Sequence, residues 1–172
     1  AITMGDPSGI GPEIILKSVV ETKLNNFLIF GDSLVFDSLI KSLGLSLTIN
    51  KISELSEAIF EEDYINLFET SKLNHLPHYG KISKECGKAS FDAIMKSIEL
   101  AKQGKVSGIV TAPISKKALN LAHINYPGHT EILAGYNNNK PVSMMLLNKH
   151  IKTVLVTLHC SMKQALDRIT IQ

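Results

Sequence analysis

The sequence predicts an α/β protein built on a mainly parallel β-sheet with helices on both faces. Short apolar runs alternate with amphipathic, helix-like segments along most of the chain, and this order is typical of βαβ units. Turn-forming Gly, Pro, Asn and Asp residues separate many of these segments. The clearest helix signal is the apolar spacing of Phe91, Ile94, Met95 and Ile98, which follows the i, i+3, i+4, i+7 period of one helix face.

The N-terminal part of the chain supplies the first strands and helices of this pattern. Pro12 falls where the first turn of a helix tolerates proline. Asp32 and Ser33 are N-cap candidates for the second helix, and Gly44 closes it. The predicted strands are residues 1–4, 27–31, 45–49 and 64–68, and the predicted helices are residues 13–21 and 34–44.

The C-terminal part continues the alternation after a loop over residues 74–84, which contains Pro77 and Gly80. A helix is predicted over about 86–103, followed by a strand at "GIVTAP". The apolar runs "VSMMLLN" and "IKTVLVTLH" are joined by "KH" and predict a hairpin or two adjacent strands. The segment "SMKQALDR" predicts a short helix.

Composition excludes several classes of function. The 172 residues are 44% hydrophobic and 20% charged with a net charge of +2, so we expect a globular protein without nucleic-acid partners. No run of about 18 apolar residues suggests a membrane span, and the N-terminus lacks the pattern of a secretory signal. Two cysteines, Cys86 and Cys160, form no disulfide framework and fit a reducing cytosol, so we expect a cytoplasmic location.

Reactive side chains follow several predicted strands. The motif "TAPISKK" follows one strand, "TLHCS" ends another, and "PGHTE" begins a helix. Because ligands of open α/β sheets bind at the carboxyl ends of strands, this convergence predicts a small-molecule site.

The opening loop "GDPSGIG" leads a strand into a helix. Its glycines permit close approach of backbone to a ligand or to a neighbouring element, and the helix N-terminus favours an anion. The spacing matches neither G-x-G-x-x-G nor a Walker A loop. A turn without a ligand therefore remains an equal alternative.

Single residues at these positions are ambiguous. His129 and Thr130 fit an anion site at a helix start, with Thr130 as a candidate cap, but a capped helix with an incidental His explains them as well. His159 at a strand end fits a metal ligand or a hydrogen-bonded, half-buried His. Lys116 fits a phosphate contact or a solvated helix start. We interpret the other histidines, His75, His78, His123 and His150, as surface residues.

Four motifs occur in order along the chain: "ITMGDPSGIGPEI", "GIVTAPISKKAL", "YPGHTE" and "VTLHCS". Together they resemble the N-terminal half of the 4-hydroxythreonine-4-phosphate dehydrogenase family, PdxA. The resemblance implies a fold similar to that of isocitrate and isopropylmalate dehydrogenases. It also implies oxidation and decarboxylation of 4-phosphooxy-L-threonine with NAD or NADP, in pyridoxal phosphate biosynthesis.

The resemblance relates individual residues to the family's site. His129 and Thr130 match the family's substrate-binding pair, and His159 matches the first of three metal-binding histidines. Asp6 and Lys116 match positions near the site, without an assigned role. The family implies a divalent metal (Zn, Mg or Co) and a homodimer with the active site at its interface. No catalytic residue is assigned within this chain.

The same resemblance predicts that residues 1–172 form only half of the family's length. The remaining half would hold the other two metal histidines and most NAD contacts, so we expect this chain alone to be inactive. Three alternatives stay open: a sister dehydrogenase of threonate or erythronate 4-phosphate, a binding fragment without turnover, and an acyltransferase of phosphotransacetylase type. We also predict that Gly9→Val damages folding or cofactor affinity, which the melting temperature and Michaelis constants of the full-length enzyme would report.

Overall fold

The computed structural model describes residues 1–137, 140, 142–158 and 160–170. Contacts between residues divide the chain into two units, residues 1–133 and 134–172. Each unit is described by itself.

The first unit is an α/β domain around a parallel five-stranded sheet. Its strand order is β3-β4-β2-β1-β5, and every pairing is parallel. This arrangement confirms the predicted fold class. The strands are β1 (Ile2–Thr3), β2 (Ile29–Gly31), β3 (Thr48–Ile52), β4 (Tyr64–Glu69) and β5 (Val110–Thr111).

Five α-helices accompany the sheet in the described part of this unit, and polar caps begin three of them. The side chains of Asp32, Ser83 and Ser115 each accept a hydrogen bond from a backbone N–H of the following turn. The helices are α1 (Gly11–Thr22), α2 (Ser33–Leu43), α3 (Lys84–Lys102), α4 (Lys116–Leu121) and α5 (His129–Gly135), the last of which crosses the division between the units.

Alternating side chains of the strands divide the core into two layers. On one face, Ile29 packs with Leu16 of α1 and Phe36 of α2. On the other face, Phe30 packs with Ala93 of α3. Because neighbouring strand residues point to opposite faces, a continuous apolar strand predicts cover on both sides, and the helices provide it.

One predicted strand lies in a different place. The apolar run over residues 45–49 predicts a strand there, whereas β3 spans Thr48–Ile52. Leu45 instead completes the end of α2, donating its backbone N–H to the Ile40 carbonyl oxygen, 3.0 Å away. Leu45 and Leu47 are partly buried against the core, so their apolar character serves helix-end packing rather than strand pairing.

The topology creates a switch point at the carboxyl edge of the sheet. From β1 the chain moves outward to β2 on one side, and β5 later adds on the other side of β1. The loops after β1 and β5 therefore lie next to each other at this edge, which is where open α/β sheets bind ligands.

The second unit is small and contains a hairpin and a helix. Strands β6 (Met145–Leu147) and β7 (Lys152–Val154) pair antiparallel, as the sequence predicts for a hairpin. All residues of both strands are exposed. Helix α6 (Met162–Arg168) begins with a capping box between Ser161 and Gln164.

A search of the helices in the described part of the chain finds none with the length and apolar character that crossing a membrane requires.

Candidate functional site

The opening loop after β1 is held in one conformation by Asp6. The buried Asp6 carboxylate accepts hydrogen bonds from the Ser8 backbone N–H (2.9 Å) and the Ser8 hydroxyl (2.8 Å). The Asp6 backbone N–H donates to the Pro113 carbonyl oxygen, 2.8 Å away. Asp6 therefore ties the loop after β1 to the loop after β5, and its carboxylate serves the turn itself.

Two glycines of this loop have no room for a side chain. Gly5 has φ +74°, and a Cβ there would lie 2.4 Å from the Pro113 carbonyl oxygen. A Cβ at Gly11 would lie 2.4 Å from the Met4 carbonyl oxygen. Gly9 is less crowded, with its nearest neighbour at 3.3 Å, so the Gly9→Val effect stays a prediction. The close approach that the glycines predict is an approach of backbone to backbone.

The first turns of α3 contact all the motifs of the first unit. Burial raises the pKa of the Cys86 thiol, hydrogen bonds with Ser83 and Ser8 oppose that rise, and the nearby Asp6 carboxylate adds to it. A Cβ at Gly87 would lie 2.0 Å from the Ala118 carbonyl oxygen, so α3 packs directly on the backbone of α4. Helix α3 is thus the element that brings the opening loop and the "TAPISKK" segment together.

An aromatic contact ties the segment before α5 to the same helix. The rings of Phe91 on α3 and Tyr126 stack with centroids 6.2 Å apart. Tyr126 precedes Gly128 and α5 closely, so this stacking fixes the approach of the chain to His129. We infer that the three motifs converge around the N-terminal half of α3.

His129 carries an unused polar atom. Its imidazole is half-buried, and Nε2 is buried with no hydrogen-bond partner among the described residues. Burial lowers the pKa of this imidazole, so the neutral form is favoured at neutral pH. A buried ring nitrogen without a partner is costly unless a ligand completes it, which makes His129 the strongest candidate contact.

The start of α5 lies two positions earlier than a cap at Thr130 predicts. The helix begins at His129 and contains Thr130 in its first turn, so the prediction of Thr130 as the cap is wrong. Thr130 is half-buried, and its hydroxyl is not committed to the N-cap position. Glu131 lies in the first turn as predicted.

Lys116 lies at the start of α4, directly after the N-cap Ser115, as the sequence predicts. Its side chain is exposed. The ammonium group therefore lies near the loop after β5 with freedom to reach a charged ligand.

A cavity of about 470 Å³ lies next to the opening loop. It is enclosed by the 71–83 loop and the first half of α3, and its lining includes His75, His78, Lys81 and Cys86. The Gly80 backbone N–H donates to the Ser8 carbonyl oxygen, 2.8 Å away, and so fixes this loop against the opening turn. The sequence predicts that His75 and His78 lie on the surface. Both are exposed, yet both also line this cavity.

The predicted metal ligand His159 lies outside the described residues. Among the residues that the structure describes, no group of three His, Cys, Asp or Glu side chains is arranged to hold a metal ion. The described residues do not supply a metal site by themselves, and no chemical step is assigned to a metal here.

The sequence did not indicate a second buried carboxylate that holds a loop at the carboxyl edge of the sheet. Asp32 is fully buried and caps α2, and its Oδ2 also accepts hydrogen bonds from the Ser71 hydroxyl (3.1 Å) and the Leu73 backbone N–H (2.8 Å). Nearby, a hydrogen bond from Ser33 lowers the pKa of Glu69 most, and Lys51 and Lys72 lower it further. The N-cap position of Asp32 was visible in the sequence, but its contacts to a loop about forty residues away were not.

The comparisons with known proteins decide the family. The sequence profile of the family "Pyridoxal phosphate biosynthetic protein PdxA" matches residues 23–172, most of the chain. The chain belongs to the PdxA family. The resemblance that the four motifs indicated is thereby confirmed, and the unmatched residues 1–22 include the opening loop.

Individual relatives match along nearly the whole chain. A 4-hydroxythreonine-4-phosphate dehydrogenase of Beijerinckia indica subsp. indica is 48% identical over 169 residues, which are 98% of this chain and 50% of the relative. A protein of Fusobacterium nucleatum subsp. nucleatum, provisionally named D-threonate 4-phosphate dehydrogenase, is 35% identical and covers 99% of this chain and 52% of its own length.

A solved structure gives the same result for the fold of this PdxA-family chain. The crystal structure of 4-hydroxythreonine-4-phosphate dehydrogenase from Klebsiella pneumoniae superimposes with a TM-score of 0.88 at 34% identity. The match covers 96% of this chain and 51% of that chain. The chain thus spans about half the length of the curated relatives and solved structures that it matches.

Proposed function

We propose that this chain forms part of a nicotinamide-dependent dehydrogenase that oxidises and decarboxylates 4-phosphooxy-L-threonine to 3-amino-2-oxopropyl phosphate, in pyridoxal phosphate biosynthesis. C3 would become a ketone, with the hydride on C3 passing to NAD(P)⁺ and the hydroxyl proton to solvent. The resulting 3-oxo acid would then lose CO₂, and C2 would take up a proton. Family membership and the names of the relatives support this proposal.

The single observation that carries the proposal is the buried Nε2 of His129, which has no partner among the described residues. A neutral imidazole can donate one N–H to a phosphate or carboxylate oxygen. Thr130, the next residue in the first turn of α5, would add a hydroxyl donor. We assign the phosphorylated substrate to this pair and give Asp6 a positioning role for the opening loop.

The residues beside the opening loop suit a nicotinamide dinucleotide. Lys81, His75 and His78 line a cavity of about 470 Å³, and cationic and N–H groups are the partners that pyrophosphate requires. The bound cofactor would accept the hydride of the substrate. The proposed cofactor is NAD or NADP.

Metal binding and dimer formation also belong to the proposal. We propose that His159 contributes to a Zn, Mg or Co site together with residues that the relatives carry beyond the matched half, and that two subunits meet at this site in the cytoplasm. Turnover would then require those additional segments. The chain by itself would bind substrate without producing NADH.

A second candidate is the oxidation of a four-carbon sugar-acid phosphate, which the name of the Fusobacterium relative favours. The two substrates share the phosphate and the reacting hydroxyl, and they differ at C2, where threonine carries an amino group and threonate a hydroxyl. His129 and Thr130 would contact the shared phosphate in either case. The acyltransferase alternative has no support from the relatives.

Isothermal titration calorimetry of the chain with three ligands tests the proposal. We expect binding of 4-phosphooxy-L-threonine, weaker binding of D-threonate 4-phosphate, and no detectable binding of unphosphorylated L-threonine. His129→Asn and Thr130→Val are expected to weaken the first interaction about tenfold each, because each removes one donor to the ligand. The matched controls His150→Asn and Thr48→Val change exposed residues of the same types and should leave affinity unchanged.

Each of three outcomes would contradict one part of the proposal. Equal affinity for phosphorylated and unphosphorylated threonine would remove the phosphate site. Tighter binding of D-threonate 4-phosphate would favour the sister activity. Production of NADH by this chain alone, followed by absorbance with either substrate, would exclude a binding fragment that lacks turnover.

A further inference from the structure

A second cavity, of about 520 Å³, lies at the opposite edge of the sheet from the candidate site. It is formed by the segments that precede β2, β3 and β4, so it opens at the amino ends of the strands. We name it the amino-edge groove. Its lining includes Val20, Leu24, Leu47, Phe60, Glu62 and Asp63.

The apolar side chains of the amino-edge groove are unusually open to solvent. Phe60 is 52% exposed, Val20 46% and Leu24 42%. Isolated exposed apolar residues are common on proteins, but three that line one concave surface indicate an interaction site. The aromatic ring also offers a face to a cation.

The rim of the same groove is acidic. Glu61, Glu62 and Asp63 follow Phe60 directly, and all three are exposed. Lys23 is the only cation among the described residues that line the groove. It lies 3.8 Å from a Glu62 carboxylate oxygen with both side chains largely exposed, so this ion pair neutralises little of the rim.

Two helices add negative potential. Both α1 and α2 end at this groove, with the left-handed residues Lys23 and Gly44 as their C-caps. The C-terminus of a helix carries about half a negative charge, and the last turn of α1 contains no basic residue to offset it. The last turn of α2 contains one, Lys41, which offsets part of the contribution of that helix. The groove is therefore negative although the whole chain has a net charge of +2.

We propose that the amino-edge groove docks a basic, amphipathic segment of a partner protein. The apolar side chains of that segment would cover Val20, Leu24 and Phe60, and its Lys or Arg side chains would pair with the acidic rim and the helix ends. The apolar floor requires an apolar stripe, and the charge of the rim selects basic over acidic partners. This proposal is independent of the dehydrogenase function, because the groove lies on the other edge of the sheet.

A peptide titration tests this assignment directly. The probe is a fluorescein-labelled peptide of about twelve residues, composed of leucine and lysine in an amphipathic helical pattern. A matched peptide replaces every lysine by glutamate. Fluorescence anisotropy at about 20 mM salt should give binding of the basic peptide at least about tenfold tighter than that of the acidic peptide. Binding should weaken as salt screens the charges.

Variants of the chain locate the binding surface. Charge reversal at Glu61→Lys and Glu62→Lys together is expected to weaken binding about tenfold, and Phe60→Ser should have a similar effect. The matched control pair Glu85→Lys and Glu99→Lys changes net charge equally on α3, across the sheet, and should leave binding nearly unchanged. Far-UV circular dichroism confirms that each variant is folded, as expected for changes at exposed positions.

Clear outcomes would overturn the proposal. Equal losses in the groove and control pairs would indicate non-specific attraction, and equal binding of both peptides would remove the charge argument. Concentration-dependent dimerisation of the unlabelled chain that Phe60→Ser abolishes would replace the basic partner with a second copy.

Discussion

The two units of this chain use apolar residues in different ways. In the first unit, the run "YINLF" forms β4, and Ile65 and Leu67 are completely buried between helices and sheet. In the second unit, "MLL" forms β6, and its leucines are 57% and 68% exposed. Two similarly apolar strands therefore have opposite burial within their own units.

This difference teaches that strand formation and core formation are separate requirements. The first unit has five strands and helices on both faces, enough to bury its apolar side chains. An isolated two-stranded hairpin is marginally stable in water. Among the described residues, the exposed apolar strands of the second unit thus form a hairpin without a core of its own.

Leucine truncation in each unit gives the largest expected contrast. Leu67→Ala removes a fully buried side chain and should lower the free energy of unfolding by about 3 kcal/mol. Leu147→Ala changes an exposed residue and should change it by less than about 0.5 kcal/mol. Urea denaturation followed by circular dichroism measures both. Equal losses would break the comparison, because they would require a packed second unit.

Glycine substitution tests whether the tight packing of the first unit extends into its opening loop. Gly5→Ala places a Cβ against the Pro113 carbonyl oxygen at positive φ and should destabilise the protein by about 2 kcal/mol. Gly9→Ala meets no atom closer than 3.3 Å, so its cost should be below about 1 kcal/mol. Thermal melting of the two variants separates them. A larger loss for Gly9→Ala would mean that the loop has another conformation.

A substitution that is expected to stabilise the first unit also tests the comparison between the two units. Thr3 is fully buried, and its hydroxyl has no hydrogen-bond partner among the described residues. Thr3→Val removes this unpaired polar group and should stabilise the first unit by about 1 kcal/mol. The control Thr153→Val lies on exposed β7 and should have almost no effect. A loss of stability in Thr3→Val would show that the hydroxyl has a partner in solution.

The smallest expected effect is a pH dependence from His129. Burial lowers the pKa of this imidazole in the folded state. At pH values near and just below the ordinary histidine pKa, the unfolded chain therefore binds more protons than the folded chain. Its contribution to stability is therefore fully present above about pH 6.5 and is lost as the pH falls through the folded-state pKa. The melting temperature of the wild type, measured relative to that of His129→Asn, should therefore fall as the pH falls through this range. Parallel curves would contradict the assigned burial.

Much of the architecture was predictable because local signals and tertiary packing agree. The period of Phe91, Ile94 and Ile98 located α3, and the cap residues Asp32 and Gly44 located both ends of α2. The strand at residues 45–49 was misplaced because Leu45 and Leu47 pack at a helix end. Periodicity alone does not distinguish these two uses of apolar residues.

The candidate site was predictable in its motifs but not in its connections. The sequence indicated His129, Thr130, Asp6 and Lys116 through the family resemblance. The structure places Asp6 on the opening loop and Lys116 at the start of α4, which follows the neighbouring loop. The sequence did not reveal that the Asp6 carboxylate is engaged by Ser8. Such contacts depend on how distant segments meet, which local patterns do not encode.

The most direct test of the central claim is a titration of the isotope-labelled chain with 4-phosphooxy-L-threonine, followed by proton–nitrogen correlation spectra. We predict that the largest shifts fall on residues 128–131, with smaller shifts on the opening loop and none that depend on ligand at the amino-edge groove. We also expect these ligand-dependent shifts to be absent in His129→Asn, while the rest of the spectrum stays unchanged. Saturating ligand that leaves residues 128–131 unperturbed would contradict the assignment of the phosphate site.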